Sequence, residues 1–458
     1  MSSDPCSLIC RGILTEVSAP GLSSHRHAMS TATDRSSHSL PDLAAHCRAM
    51  AERARQAAID LGGVSTEQKA EALRRAAVEI RADTLLILAA NRADLEASAG
   101  AGLTAAASER LLLDEKRVEG IAAGLEAVAA LPDPVGEVIE ASVRPSGLSV
   151  RKIRVPLGVI FFIYESRPNV TADAAAVSLA AGNAIILRGG KEAARSSRAI
   201  VEAFRRGVAA AGLPVDGVQL VDTTDRAAVG EFLKLDTLID LAIPRGGEQL
   251  IRRVCAEARM PVLKHFNGNC HVYVDRAADL GMARAITVNA KCQRMGVCNA
   301  AESLLIHRDV AAAFLPEIGA ALGERGIEMV GDAATRRLLP AAGVATEADF
   351  AAEFLGPKIS VAVVDSLDAA IDHINRYGSR HTDAIVTADA AAAERFAARV
   401  DTAVAVVNAS TRFNDGAELG LGAEIGISTD KLHARGPCGT RELTTYKYVV
   451  TGTGQTRS

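Results

Sequence analysis

Residues 158–192 read GVIFFIYESRPNVTADAAAVSLAAGNAIILRGGKE, an apolar run, an alanine-rich helical stretch and a second apolar run in succession. Further short apolar runs follow at 217–221, 238–243 and 261–263, and helical stretches separate them. Strands that alternate with helices predict βαβ units and a parallel sheet. Ligands of such sheets bind outside the carboxyl ends of the strands, so the loops that follow these runs are the first candidates for a site.

The chain on either side of this segment is also patterned. Three helices are predicted upstream, at 39–61, 65–97 and 104–131, and the second of them begins with the capping box Ser65-Thr-Glu-Gln68. A second α/β block begins near Cys270 and continues through a strand at 360–364. No internal repeat is visible.

Two β-rich segments lie outside these blocks. Residues 136–154 alternate branched and polar side chains around a Pro-Ser-Gly turn, which predicts a hairpin. Residues 444–450 form a single β-rich run after the last helical segment. Such a strand must pair elsewhere, either with the hairpin or across a subunit interface.

The composition is that of a globular enzyme. The 458 residues are 48% hydrophobic and 23% charged, and this length is enough for two or three domains with full cores. The net charge of -4 gives no electrostatic reason to expect nucleic acid or an anionic membrane as a partner. No apolar run approaches the roughly 20 residues that a membrane-spanning helix needs.

The distribution of the cysteines indicates the redox compartment of the protein. Eight of them are scattered along the chain, which favours reduced thiols and a cytoplasmic location over a disulfide framework. The first 38 residues are serine-rich and are expected to be a disordered tail, with Met29 as an alternative start. No cysteine or histidine pair has the spacing of a zinc motif, so no metal is predicted. The residues considered for zinc were His265, Cys270, His271, Cys292, Cys298 and His307.

Cys298 is a candidate nucleophile. It follows a predicted helix in the run Asn289-Ala-Lys-Cys-Gln-Arg-Met-Gly-Val-Cys298, in which Lys291 and Arg294 would favour the thiolate. From the residues alone Cys298 competes with three other cysteines, at 255, 270 and 292, because buried and inert cysteine is the usual state.

Two glycine-containing turns are candidate cofactor loops. Arg188, Gly189, Gly190 and Lys191 follow a strand and precede a helix, where backbone amides can approach phosphate oxygens. The two cations suit an additional phosphate, which favours NADP over NAD. The segment Pro244-Arg245-Gly246-Gly247 repeats this arrangement in a later unit. Tight turns with solvated cations are the alternative reading of both loops.

Two further polar residues are candidates for the reaction itself. Asn169 follows a strand, and its amide could donate to a developing oxyanion, although an ordinary helix cap is the favoured alternative. Arg412 lies in a long polar loop and could pair with a substrate carboxylate, with a structural turn as the equal alternative.

Six segments taken together carry a family resemblance: 164–171, 182–190, 243–247, 289–300, 407–413 and 433–437. In their order they resemble the gamma-glutamyl phosphate reductases, a family of the aldehyde dehydrogenase superfamily. The resemblance extends from about Leu40 to Gly452.

The resemblance implies an aldehyde dehydrogenase-like α/β fold. A parallel-sheet NADP-binding domain is then expected at 39–135 and 155–266, and an α/β catalytic domain at 267–430. Residues 136–154 and 440–458 would form a β oligomerisation arm, so a homo-oligomer is expected.

The resemblance also implies residue roles. The nucleophile position falls on Cys298, and the oxyanion-hole asparagine falls on Asn169 with the Cys298 amide as its partner. Arg188 and Lys191 take the adenosine-ribose site, and Glu353 resembles the carboxylate that holds the nicotinamide ribose. The chain reads His265-Phe-Asn-Gly268 where hydrolytic relatives have Glu-Leu-Gly-Gly, whose Glu activates water. Its absence agrees with a reductive enzyme, which must protect its thioester from water.

The implied reaction is the NADPH-dependent reduction of L-glutamyl 5-phosphate to L-glutamate 5-semialdehyde and phosphate, the second step of proline biosynthesis. It would pass through a thioester on Cys298, with Arg167 and Arg412 as candidates for holding the substrate's carboxylate or phosphate. A glutamate kinase is the expected partner. A hydrolytic or acylating semialdehyde dehydrogenase is the alternative enzyme, and a non-catalytic binding protein is the alternative outside enzymes.

Overall fold

The structure, a computed structural model, describes residues 42–99, 105–165 and 167–457. The predicted tail at 1–38 and the alternative start at Met29 lie outside these residues. All described residues belong to one compact unit, Pro41–Ser458.

The described residues form helices and strands with the following bounds. The helices are α1 (Leu43–Leu61), α2 (Thr66–Ala82), α3 (Thr84–Ala99), α4 (Ala105–Leu111), α5 (Glu115–Ala129), α6 (Pro168–Ala180), α7 (Ala194–Ala210), α8 (Ala227–Phe232), α9 (Glu248–Glu257), α10 (Leu280–Cys292), α11 (Arg308–Gly323), α12 (Ala333–Leu338), α13 (Glu347–Ala351), α14 (Leu367–Tyr377) and α15 (Ala390–Arg399). The strands are β1 (Val138–Val143), β2 (Ser149–Pro156), β3 (Val159–Tyr164), β4 (Ala184–Arg188), β5 (Val218–Leu220), β6 (Leu241–Arg245), β7 (Cys270–Val274), β8 (Ala301–His307), β9 (Glu328–Gly331), β10 (Gly343–Val344), β11 (Lys358–Val364), β12 (Thr382–Val386), β13 (Val404–Val407), β14 (Gly426–Ser428), β15 (Gly436–Cys438) and β16 (Thr444–Thr451).

The quoted segment forms the centre of a four-stranded parallel sheet in the order β5-β4-β3-β6. Every residue of β3 and β4 is buried, as expected where helices cover both faces of a parallel sheet. Because β4, β3 and β6 are adjacent and parallel, the loops that follow them meet at one edge of the sheet. Both predicted cofactor loops therefore share that edge.

A second, seven-stranded parallel sheet has the order β10-β9-β11-β8-β7-β12-β13. Its central strands β7 and β8 are fully buried and are joined through α10. The predicted second α/β block is thus confirmed. The segment containing Cys298 connects α10 to β8, next to the start of β7.

The hairpin and the last strand form a third sheet. β2 pairs with β1 on one side and with β16 on the other, all antiparallel, with Thr444 opposite Pro156 and Thr451 opposite Ser149. Of the two partners that the sequence left open for the last strand, the hairpin is the one observed.

Three local predictions were wrong. The predicted helix 65–97 is interrupted at Asp83, and the helix 104–131 is interrupted before Asp114, whose side chain caps α5 by accepting from the Arg117 amide at 2.7 Å. Capping by a short carboxylate restarts a helix at a point that apolar periodicity alone does not mark. The predicted strand 261–263 reduces to an isolated bridge between Val262 and Ala242. In the described part of the chain, no helix is both long and apolar enough to cross a membrane.

Candidate active site

Cys298 lies half-buried in the loop between α10 and β8, against the segment that precedes β7. The two backbones touch at Gly268, where an added Cβ would lie 1.9 Å from the Cys298 carbonyl oxygen. That oxygen also accepts a hydrogen bond from the buried Cys270 thiol at 3.1 Å. The loop that carries Cys298 thus packs tightly on Gly268, and only glycine leaves room for this contact.

The three rival cysteines are less suited to nucleophilic chemistry. Burial raises the pKa of the thiols of Cys255 and Cys292, and it raises that of the fully buried Cys270 well above its ordinary value. A thiol whose ionisation is suppressed by burial is a weak nucleophile. This leaves Cys298, which is half-buried and has cations beside it, as the best-placed sulfur.

Arginines surround the Cys298 sulfur. Arg167, at the N-cap of α6, lies within electrostatic range of the thiolate and of Arg110, Arg245 and Arg294. Burial lowers the pKa of Arg167, and these neighbouring cations lower it further. So many like charges at one place repel each other unless an anion joins them. The arrangement is therefore that of an anion-binding site.

Arg412 joins this group from a distant part of the chain. Its Nε donates to Gln293 Oε1 at 2.8 Å, and its charge also lies within range of Cys298. The Thr411 hydroxyl donates to the Asn299 carbonyl at 2.7 Å, and Asn299 donates to the Asn414 carbonyl at 2.9 Å. These bonds tie the polar loop around Arg412 to the residue that follows Cys298.

Lys291 does not have the role that its sequence position suggested. Its ammonium group is fully buried 2.5 Å from the equally buried Glu302 carboxylate. Burial raises the pKa of Glu302 to about 7, and Lys291 opposes that rise. The expectation that Lys291 favours the Cys298 thiolate was wrong, because its charge is neutralised by Glu302 and the cations beside the sulfur are arginines.

A cavity of about 680 Å³ opens beside these arginines. Its polar lining comes from Glu109, Arg110, Arg117, Arg167, Arg294, Asn169 and Asp173. Arg110 and Arg117 went unnoticed in the sequence because they lie in the unremarkable region of α4 and α5. Only the packing of these helices against the loop before α6 brings them to the cavity.

Asn169 lies in the first turn of α6 but does not cap it. Arg167 occupies the N-cap position and makes no side-chain capping bond, so the favoured interpretation of Asn169 as a helix cap was wrong. Its Nδ2 instead donates to Asp173 Oδ2 at 3.1 Å, one turn along the helix. Burial raises the pKa of Asp173 to about 6.

The first cofactor loop ends β4 with a buried arginine. The Arg188 guanidinium donates to the carbonyls of Gly189 and, at 3.1 Å, Thr224, while its buried Nε has no hydrogen-bond partner in the described part of the chain. Burial lowers the pKa of Arg188. A Cβ at Gly189 would lie 3.1 Å from the Tyr164 ring, so this position tolerates little more than glycine. Gly190 and Lys191 begin the short helical turn before α7.

The second cofactor loop lies two strands away on the same sheet edge. Pro244 and Arg245 end β6, Gly246 follows, and Gly247 is the N-cap of α9. The Gly247 amide donates to Glu165 Oε2 at 3.0 Å. Arg245 pairs with Glu424 at 3.7 Å.

Glu353 lies close to the nucleophile loop. Burial raises the pKa of its carboxyl, and a hydrogen bond from the Gly268 amide opposes that rise. Because Gly268 also packs on Cys298, this carboxylate and the sulfur flank the same backbone segment.

Comparison with known proteins identifies the family. The Aldehyde dehydrogenase family matches residues 30–336. A gamma-glutamyl phosphate reductase of Rhodopirellula baltica is 59% identical over 430 residues, covering 94% of this chain and 99% of that one. The chain belongs to the gamma-glutamyl phosphate reductase family. The family member of Moorella thermoacetica is 52% identical and covers 91% of this chain and 100% of its own. The crystal structure of the gamma-glutamyl phosphate reductase of Thermotoga maritima superposes with a TM-score of 0.88 at 43% identity, over 90% of this chain and 100% of that one.

Membership confirms the aldehyde dehydrogenase-like fold and makes the chain an oxidoreductase that works with a nicotinamide cofactor. It does not by itself assign roles to individual residues.

Two histidines of this reductase lie beside the nucleophile. His265, in the segment before β7, and His381, just before β12, each bring a ring nitrogen within 4.8 Å of the Cys298 sulfur. In the sequence His265 was considered for zinc and set aside, and was noted as the replacement for a glutamate, whereas His381 was missed because nothing near it in sequence forms a motif.

Proposed function

We propose that this chain reduces L-glutamyl 5-phosphate to L-glutamate 5-semialdehyde and phosphate with NADPH, through a thioester on Cys298, as the second step of proline biosynthesis. The observation that carries this proposal is the placement of one half-buried cysteine within electrostatic range of Arg167 and Arg412. A nucleophile held among cations suits an acyl phosphate, whose leaving group and α-carboxylate are both anionic.

The arginines contribute their charge to this reaction. They lie within electrostatic range of Cys298, the nucleophile that attacks the acyl carbon. They also attract the anionic groups of the substrate, since guanidinium groups bind phosphate and carboxylate with paired donors. Arg167 and Arg412 are the two that we assign to the substrate. Phosphate is a good leaving group, so a strong general acid is not required.

The oxyanion formed by thiolate attack needs hydrogen-bond donors. An asparagine amide has two hydrogens, and the contact with Asp173 uses one of them, so the other remains for the substrate. We assign this donation to Asn169 and the second to the Cys298 backbone amide. One such donor contributes about 2.7–4 kcal/mol of transition-state stabilisation in other enzymes.

The cofactor loops fit an anionic dinucleotide. The buried Arg188 Nε is a donor without a partner in the described part of the chain, and a phosphate oxygen would satisfy it. We assign the adenosine-ribose phosphate to Arg188, Gly189, Gly190 and Lys191. We assign the other side of the cofactor site to Pro244, Arg245, Gly246 and Gly247, and the nicotinamide ribose to Glu353. When bound, NADPH supplies the hydride that reduces the thioester carbon.

Several features bear on the protein's surroundings. The six cysteines in the described part of the chain are all free, which supports a reducing compartment such as the cytoplasm. The arm formed by β1, β2 and β16 exposes apolar side chains, and a face of this kind supports a homo-oligomer. The exposed residues are Val138, Ile139, Val143, Tyr446, Tyr448 and Val450. We propose a glutamate kinase as the partner that supplies the acyl phosphate. We also propose that the NADP-binding domain, the catalytic domain and the oligomerisation arm have the boundaries given above.

A coupled assay tests the function. Glutamate kinase, ATP and glutamate generate the acyl phosphate, and NADPH consumption is followed with this protein present. Cys298→Ala is expected to abolish turnover while NADPH binding is retained. Cys292→Ala, a matched control six residues earlier, is expected to keep most of the activity.

The reverse reaction separates the alternatives. Oxidation of glutamate semialdehyde is expected to depend on phosphate. If coenzyme A or water replaced phosphate as the acyl acceptor, the acylating or hydrolytic alternative would stand instead. Substantial turnover by Cys298→Ala would remove the thioester from the mechanism.

A further inference from the structure

A sulfur and two imidazoles converge at the nucleophile from three separate segments. One ring nitrogen of His265, one of His381 and the Cys298 sulfur all lie within 4.8 Å of one another. Thiolate and imidazole are the ligands that zinc prefers, and three protein ligands with one open position form the common geometry of an accessible zinc site. The half-burial of Cys298 and His265 leaves the position open to solvent ions.

The hydrogen bond of His265 leaves one of its ring nitrogens available to a metal. His265 Nδ1 lies 3.0 Å from the Ile427 carbonyl, which can only accept, so Nδ1 carries the proton and Nε2 keeps a free lone pair. A backbone carbonyl that fixes the tautomer of an imidazole in this way is the usual support of a metal-binding histidine.

His381 is held at its Nδ1 by a hydroxyl and, at 3.6 Å, by the Cys270 sulfur. Its Nδ1 lies 2.8 Å from the Thr382 hydroxyl, and that hydroxyl is held by Asn414 Nδ2 at 2.6 Å. Its Nε2 is buried and has no hydrogen-bond partner among the described residues. An orphaned nitrogen in a buried, rigid setting is costly unless something binds it.

We propose that Cys298, His265 and His381 form a zinc-binding site and that zinc bound there inhibits the enzyme by occupying the nucleophile. The inhibition rests on the proposed role of Cys298, whereas the binding of the metal does not. Zinc would replace the proton of the Cys298 thiol, take one nitrogen from each imidazole and keep water as a fourth ligand. The arginine cluster around the sulfur, which includes Arg167, Arg245, Arg294 and Arg412, opposes a dication here. The carboxylates of Glu353, Asp383 and Glu424, within electrostatic range of His381, offset part of that charge. We therefore expect zinc to bind here reversibly.

Metal binding is measured directly on the full-length protein. Equilibrium dialysis against zinc is expected to give one tightly bound ion per chain. Cobalt(II), which takes zinc sites, is expected to give a thiolate-to-metal charge-transfer band in the near ultraviolet that Cys298→Ser lacks. His381→Asn and His265→Asn are each expected to raise the zinc dissociation constant at least about tenfold, the scale seen when the support of a metal site is removed. His46→Asn, which alters a surface histidine paired with Asp222, serves as the control and is expected to change nothing.

Activity provides the second measurement. Zinc is expected to inhibit the coupled reaction, and EDTA is expected to restore it fully. Circular dichroism shows whether each variant is folded, and if His381→Asn does not fold, the spectrum of Cys298→Ser still decides. Zinc uptake that is the same in wild type, Cys298→Ser and the histidine variants would overturn the site, as would the absence of stoichiometric binding. If the protein binds zinc through Cys298 yet reduces no acyl phosphate, the proposed function fails and the metal site stands.

Discussion

The buried ion pair between Lys291 and Glu302 gives a prediction whose size follows from the structure. Both side chains are fully buried, and their charged atoms are 2.5 Å apart at the junction of α10, β8 and the nucleophile loop. Glu302 also accepts from the Leu355 amide at 3.2 Å. Removing one partner of a buried pair leaves an uncompensated charge and costs about 3–5 kcal/mol. Lys291→Met, which keeps the apolar stem, is therefore expected to lower the free energy of unfolding by this amount.

The loss should depend on pH. Burial already raises the pKa of Glu302 to about 7, and Lys291 is the main group that opposes the rise, so the variant's carboxyl should titrate still higher. The folded variant then holds a proton that the unfolded chain has released above its ordinary glutamate pKa. Stability must fall as the pH rises through that interval, by at most about 1.4 kcal/mol per pH unit. The loss in the free energy of unfolding of the variant, relative to wild type, should thus be larger at pH 8 than at pH 6.

Urea unfolding followed by far-ultraviolet circular dichroism measures this, because the chain has no tryptophan for fluorescence. Lys234→Met is the matched control, since Lys234 and Glu231 form an exposed pair at 2.8 Å and such pairs contribute less than about 1 kcal/mol. The double variant Lys291→Met/Glu302→Leu removes both charges and should recover most of the loss. A Lys291→Met variant within about 1 kcal/mol of wild type at both pH values would show that the pair is not buried as described.

Three further predictions concern the site. Gly268→Ala places a Cβ 1.9 Å from the Cys298 carbonyl oxygen, so kcat should fall about a hundredfold with NADPH binding retained; near-normal kcat would contradict the close packing. Arg412→Gln removes a charged donor that contributes about 1.5–3 kcal/mol, so kcat/KM for the acyl phosphate should fall roughly 10- to 150-fold, mainly through KM. An equal rise in the KM for NADPH would argue against a substrate role. Arg188→Met should raise the KM for NADPH about tenfold or more and leave that for NADH nearly unchanged, and equal effects on both would refute its assignment to the phosphate.

The fold was largely predictable because its pattern is local. The apolar strands and the helices between them form along the chain with periods that the sequence displays, and parallel pairing of β3 with β4 follows from the helix between them. The helix interruption before Asp114 was not predictable from periodicity, because a single capping side chain decides it. Periodicity did not mark the interruption at Asp83 either. The strand expected at 261–263 forms a single bridge instead of a full ladder of hydrogen bonds.

The site was predictable only in part. Cys298, Arg167 and Arg412 were candidates from the sequence, and the structure brings both arginines within electrostatic range of Cys298. Of the two cations credited with activating the thiol, Lys291 and Arg294, Lys291 is paired with Glu302 instead. Lys291 and Arg294 are equally close to Cys298 in sequence, and nothing in the sequence shows that the lysine turns inward to Glu302.

Local periodicity and motifs of contiguous residues were enough to predict the main strands and helices, the family of the chain and its chemistry-bearing segments. The groups that surround the Cys298 sulfur, in contrast, come together only when the chain folds. His265 and His381 are more than 100 residues apart in the sequence, and chain folding alone brings both imidazoles within 4.8 Å of Cys298 and Arg412 within range of its charge. Spacing along the chain therefore predicted no such cluster, whereas the fold places the Cys298 sulfur and two imidazole nitrogens within 4.8 Å of one another.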